Sequence, residues 1–194
     1  GSLFTTLPYK QQSLSMRLTY DYGSRYFVEF NGGYTGSENF LKHHRFGFFP
    51  AMAVGWVPSN ESWWAPLSPV VDFLKLRYSY GVVGNDSSGD RFSYFAKLNS
   101  DGGGFSNYWT RNGASGSWHY SAYGYTPTWS KVHKHDLGIE MNLFHSNLSI
   151  VLDLFKERRE NIFVERTDLP LITGLEANPF ANVGVVENKG FEVS

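Results

Sequence analysis

Three short clusters in this chain carry side chains able to do chemistry. The stretch Val132-His133-Lys134-His135-Asp136 sets two imidazoles two positions apart. On a strand they share a face, the arrangement that begins a metal site. The spacing fixes no third ligand, so the expected state is a solvated strand end with no resident metal. Asn85-Asp86-Ser87-Ser88-Gly89-Asp90 presents oxygen side chains and a glycine, as calcium loops do. It lacks the spaced acidic ladder that ends in a bidentate Glu, and reads as a polar loop. Glu157, Glu160 and Glu165 stand beside Arg158, Arg159 and Arg166. A glycosidase needs two carboxylates facing one cleft. Here the charges compensate one another, as on a solvated rim. No Ser stands in a Gly-x-Ser-x-Gly setting and no phosphate-binding glycine loop is present. No catalytic residue is assigned, no cofactor is implied, and no enzymatic activity is expected.

The stronger chemical signal is aromatic. Between Asn85 and Lys134, Phe105, Tyr108, Trp109, Trp118, Tyr120, Tyr123 and Tyr125 lie among Gly and Ser. Aromatic faces stack on sugar rings, and Tyr and Trp are favoured in protein interfaces. Tyr108, Trp109, Trp118, Tyr120 and Tyr123 are therefore the candidate residues for contacting a ligand or partner. The plainer alternative has some of these rings sitting at a membrane surface or packing the loop.

The elements that would position such a segment are strands. Residues 13–22 alternate strictly between two faces. Leu14, Met16, Leu18, Tyr20 and Tyr22 share one; Ser13, Ser15, Arg17, Thr19 and Asp21 share the other. Ten residues at roughly 3.3 Å each, tilted near 40°, rise about 25 Å, the height of the apolar band of an outer-membrane barrel. Arg25–Tyr34 continues the alternation after a tight Gly23-Ser24 connection, with Phe27 placing an aromatic on the polar side. Further strands are expected at Ala51–Val57, Phe73–Gly84, His135–Phe144, Leu148–Arg158 and Val185–Val193, and short ones near Arg91–Asn99 and Trp118–Tyr125. The segments 35–49, 85–134 and 159–182 read as loops. Pro58–Asp72 carries three prolines and the Trp63-Trp64 pair, with room for a short helix. Tyr22, Tyr26, Trp63 and Trp64 are expected as interfacial anchors at one rim.

Connection lengths sort by parity. If Gly23-Ser24 and His145-Ser146-Asn147 lie at one end, all three long loops fall at the other, as in barrels with short periplasmic turns and long outer loops. The fold class expected is all-β, an antiparallel up-and-down transmembrane barrel segment.

Composition agrees. The chain has 194 residues with net charge −1, which sets no strong field toward nucleic acid or anionic lipid. It has no cysteine, which excludes disulfides and thiolate metal sites and fits an exported bacterial protein. Aromatics reach 18% and glycines number 20, a pairing found in membrane barrels and in carbohydrate-binding sandwiches alike. The longest apolar run, Gly47–Pro58, is broken by prolines and is too short for a membrane helix. Gly1–Gln12 has neither a basic start nor an apolar block, so an exported protein of this kind would begin upstream.

Four motifs, in order, carry a resemblance. They are Tyr20-Asp21-Tyr22-Gly23-Ser24-Arg25-Tyr26 running into Glu29-Phe30 and Tyr34-Thr35-Gly36-Ser37; Phe46-Gly47-Phe48-Phe49-Pro50 leading to Gly55-Trp56; Leu74-Lys75-Leu76-Arg77-Tyr78-Ser79-Tyr80-Gly81 with Gly84-Asn85; and Val186-Glu187-Asn188-Lys189-Gly190-Phe191-Glu192. From about residue 14 onward the chain resembles the C-terminal barrel half of the SusC/RagA-type TonB-linked outer-membrane proteins. Tyr78 and Phe46 depart from the pattern, standing where a smaller residue and a Trp or Tyr are usual. The resemblance implies part of a 22-stranded TonB-dependent barrel in the bacterial outer membrane, importing oligosaccharide or peptide. It also implies a SusD-like surface lipoprotein as partner and coupling to TonB through an N-terminal plug that this sequence lacks. Residues 1–194 would then be a partial barrel domain. The rival is a secreted carbohydrate-binding β-sandwich, which would bury the Leu14/Met16/Leu18 face against a second sheet.

Overall fold

The structure, a computed structural model, describes residues 8–87, 93–102, 117–122, 125–169 and 178–194, with backbone alone considered over 97–102 and 117–122. Among the described residues nine strands follow one another: β1 (Gln11–Tyr22), β2 (Tyr26–Ser37), β3 (Phe46–Trp56), β4 (Val71–Asn85), β5 (Lys97–Gly102), β6 (Ser117–Ala122), β7 (Ser130–Leu143), β8 (Leu148–Glu165) and β9 (Phe180–Val193). Seven form one sheet in the order β1-β2-β3-β4-β7-β8-β9, each pair antiparallel, while β5 and β6 pair separately within the β4–β7 connection. This is an up-and-down meander, the architecture expected.

Alternation becomes a two-faced wall because the register keeps like residues opposite one another. Leu18 pairs with Phe30, and Phe30 with Met52. Met52 then pairs with Tyr80, and farther along Ile139 pairs with Leu152. The intervening rows are polar, as with Thr19 opposite Glu29 and Lys75 opposite Glu140. Among the described residues no second sheet covers the apolar side: Leu14 is 72% exposed and Leu18 69%. A sandwich would have removed these side chains from contact with solvent, so the rival reading fails here.

The strands run longer than their sequence patterns indicated. β3 starts at Phe46, inside the expected loop 35–49, and passes through Pro50. Proline is tolerated there because the β3–β4 ladder begins only at Ala51 opposite Gly81. Above that point the two strands diverge, and the ring of Phe49 fills the gap over Gly84. β8 reaches Glu165, and β9 begins at Phe180, so strand claims both 159–165 and 180–182 of the expected loop 159–182. The strand was expected to end at Arg158 in a charged loop rim; it continues, and the charges of 156–160 lie on its alternating faces. Its register shifts between Arg159 and Ile162, where Asn161 takes φ +56°.

The two ends differ as the parity rule required. The β1–β2, β3–β4 and β7–β8 connections (23–25, 57–70 and 144–147) lie at one end, and the strand ends that lead into the β2–β3, β4–β7 and β8–β9 connections lie at the other. The first turn uses Gly23 (φ +59°) and Ser24 (φ +52°). Pro58–Asn60 and Ser62–Trp64 are single 3₁₀ turns, the short helical element expected there. Trp63 is exposed as an anchor would be, but Trp64 is buried and its indole N–H donates to the Val71 carbonyl at 2.9 Å.

Glu61 stitches this end together. It accepts from the Tyr26 hydroxyl at 2.7 Å and pairs with the Arg25 guanidinium at 3.2 Å, while Asn60 donates to the Ser24 carbonyl at 2.7 Å. The Tyr26 hydrogen bond, helped by Arg25, holds the Glu61 carboxyl below its usual 4.5 despite partial desolvation. A lowered folded value means the stitch contributes fully above that reference and is lost as pH falls through the lower value. Amide protection factors at Ser24–Tyr26, which remove the intrinsic pH dependence of exchange, should therefore hold down to pH 4.5 and fall in more acid solution. Glu61→Gln should remove the acid step; an unchanged step in that variant would discard the assignment.

Candidate functional site: the polar face and its loop end

The polar rows of the sheet carry opposed charges across neighbouring strands. Arg77 on β4, Gly138 on β7 and Asp153 on β8 lie in one row. Arg77 reaches over the glycine to bond Asp153 at 2.6 Å. A Cβ on Gly138 would run into the Arg77 side chain and the Asp153 carboxylate, so glycine is what lets the pair span three strands. Lys75 and Arg77 also approach Glu140 at 3.4 and 3.5 Å. Nearer the first strand, Glu29 accepts from Arg17 at 2.7 Å and from Asn31 at 2.6 Å. A hollow of about 740 Å³ lies along this face, with Thr19, Asp21, Phe27, Glu29, Lys75 and Arg77 among its lining. Such a surface offers hydrogen-bond donors and acceptors of both charges to a wetted solute.

The loop end closes over a small core. Phe40 is fully buried and packs on Trp129 at 5.0 Å, which meets Phe49 at 5.0 Å. The Trp129 indole donates to the Arg45 carbonyl at 3.2 Å, tying 38–45 down onto the start of β7. Asp86 accepts from Ser37 at 2.7 Å and Tyr9 at 3.0 Å. In the 166–179 connection, Arg166 forks onto Asp168 at 2.7 and 3.1 Å, which lowers the carboxyl's proton affinity. Phe40 and Trp129 had no signal of their own: each is one aromatic in a polar stretch, and only pairing across 89 positions of chain makes them a core.

The residues singled out for chemistry separate. His133 and His135 lie on the apolar face, each sharing a hydrogen bond at 2.9 Å with a tyrosine hydroxyl, Tyr80 and Tyr78 respectively. Asp136 takes the opposite face, and among the described residues no three His, Asp or Glu groups gather as a metal site. Asp86 of the calcium-like loop is occupied by hydroxyl donors, and residues 88–90 lie outside the described residues. Glu157 joins Lys134 and Arg159 on the polar face, whereas Glu160 pairs with Arg158 on the other side. Of the aromatic candidates, Trp118 and Tyr120 lie on β6, where Tyr120 stands opposite Leu98. Phe105, Tyr108, Trp109 and Tyr123 lie outside the described residues. Tyr125 packs structurally against Phe163 and Phe180, at 5.8 and 5.7 Å.

Comparison with known proteins places this wall. The family described as "TonB dependent receptor-like, beta-barrel" matches residues 5–194. TonB-dependent receptor P39 of Formosa agariphila is 32% identical over 190 residues, covering 94% of this chain and 16% of the relative. TonB-dependent receptor SusC of Bacteroides thetaiotaomicron is 27% identical over 185 residues, covering 92% of this chain and 17% of the relative. The chain thus spans about a sixth of the length of these relatives. Among solved structures, the RagAB peptide importer in its closed-closed state superposes with a TM-score of 0.76 at 21% identity, over 95% of this chain and 19% of that one. That likeness shows the fold.

Proposed function

The chain belongs to the TonB-dependent receptor-like β-barrel family, and from that premise we propose that it is a stretch of the wall of a bacterial outer-membrane nutrient importer. The apolar face meets lipid and the polar face borders a wet lumen. The end carrying 23–25 and 144–147 faces the periplasm, and the long connections face outward. One observation carries this reading: an uncovered apolar face backed by a charge-paired polar one over strands as long as 18 residues. Backbone groups inside a bilayer must all be paired, which a closed barrel of such strands achieves.

The whole importer, on this reading, takes up oligosaccharide or peptide, with a SusD-like surface lipoprotein over its outer end and energy arriving from TonB through a plug. The RagAB relative, a peptide importer by its title, supports the peptide arm. Tyr108, Trp109, Trp118, Tyr120 and Tyr123, in the longest outer connection, support contact with the lipoprotein or a sugar. The chemistry is passage without bond making, in line with relatives that are receptors and importers by name.

The test uses the full-length protein in a cysteine-free background. Met16→Cys should be quenched by nitroxide-labelled acyl chains and resist a charged maleimide; Ser15→Cys should behave oppositely. In the same cells, uptake of labelled oligopeptide or oligosaccharide should stop on deletion of the gene or on collapse of the proton gradient. Indistinguishable labelling at the two sites, or uptake that survives both treatments, would overturn the reading.

A further inference from the structure

On the apolar face, two rows change character abruptly at the loop end. Leu137, Leu154 and Phe191 make the last apolar row, and the next runs His135-Lys156-Lys189 across β7, β8 and β9. The row after it runs His133-Arg158-Glu187. Lys156 and Lys189 stand directly opposite, a placement that costs stability unless an anion lies between them. Glu187 meets Lys156 at 3.3 Å and Glu160 meets Arg158 at 2.7 Å. Lys189, Lys156 and Arg158 are all exposed. The two histidines are held in place by the Tyr78 and Tyr80 hydroxyls, both at 2.9 Å.

The height of these rows says what they meet. From Leu148, where β8 begins, to Lys156 is eight residues, which at about 3.4 Å each and a tilt near 40° climbs about 21 Å. An apolar band is about 25 Å tall, so the lysine row falls where acyl chains end and headgroups begin. These side chains point away from the lumen and cannot serve the transported solute. Resting on the membrane placement proposed above, we propose that Lys156, Lys189, Arg158 and His135 bind the phosphate of an anionic lipid of the outer leaflet. The lysines supply charge and the arginine a planar fork suited to phosphate oxygens.

The test is native mass spectrometry of the full-length importer in mild detergent, titrated with diphosphoryl lipid A. Lys156→Gln with Lys189→Gln should weaken binding by roughly ten- to thirtyfold, since each basic residue near a lipid surface contributes about one factor of five. A dephosphorylated lipid A should bind the unaltered protein as weakly as diphosphoryl lipid A binds the double variant. Millimolar inorganic phosphate should leave the lipid complex intact. Equal binding by the double variant, or displacement by inorganic phosphate, would overturn the assignment. Leu154→Cys, read by nitroxide-labelled acyl chains, separates the two failures. If it is not quenched, the membrane placement falls; if it is quenched while lipid binding is unchanged in the double variant, only this inference falls.

Discussion

Arginine in place of Leu18, introduced into the full-length protein, is expected to lower the stability of the barrel in liposomes by about 2–4 kcal/mol. Leu18 lies midway along β1, pairs with Phe30, and is 69% exposed on the uncovered face. On the membrane reading that exposure is to hydrocarbon near the midplane, where a guanidinium loses its water. One residue away the expected outcome reverses. Thr19 lies opposite Glu29 on the polar face. Thr19→Arg meets water and a carboxylate there, and should change stability by less than about 0.5 kcal/mol. Urea unfolding of both variants from the same liposomes gives the comparison. Similar losses at the two positions would mean that the faces are not solvated differently.

The second large effect is expected at Gly138. Valine there places carbon where the Arg77 side chain and the Asp153 carboxylate already are. Overpacking of this kind costs about 1–3 kcal/mol. The ion pair adds less than about 1 kcal/mol, because Arg77 is 42% exposed and screened. Arg77→Ala in the Gly138→Val background should recover part of the loss by removing the arginine stem. Neighbours that share a contact depart from additivity in this way. Strictly additive effects of the two substitutions on the urea midpoint would show that the three-strand row is not a unit.

Much of the wall could be read from residues 13–22 alone, because a period of two over ten positions leaves one way to orient a strand. The end-to-end asymmetry was equally legible, since connection lengths count themselves. Strand ends were less so. Pro50 and the charged stretch from Arg159 looked like loop, and became strand because a missing ladder partner accommodates one and alternating faces accommodate the other. The polar site was half visible. Arg77, Glu140 and Asp153 stand on expected strands, but their meeting depends on register, and register emerges only when β4, β7 and β8 are aligned through Gly138. His133 and His135 suggested a metal by their spacing; the tyrosines that occupy them come from another strand. The aromatic candidates of the longest connection rested on composition, which names residue types and gives no partners.

The turn at 144–147 sets Phe144, His145 and Ser146 all at positive φ, and Gly23-Ser24 is comparably tight. Hairpins closed this sharply fix how neighbouring strands align from one end only. For the β1–β2 and β7–β8 pairs, alignment does not depend on the length of any connection at the opposite end. A longer or shorter far connection therefore leaves the frame of those two hairpins in place.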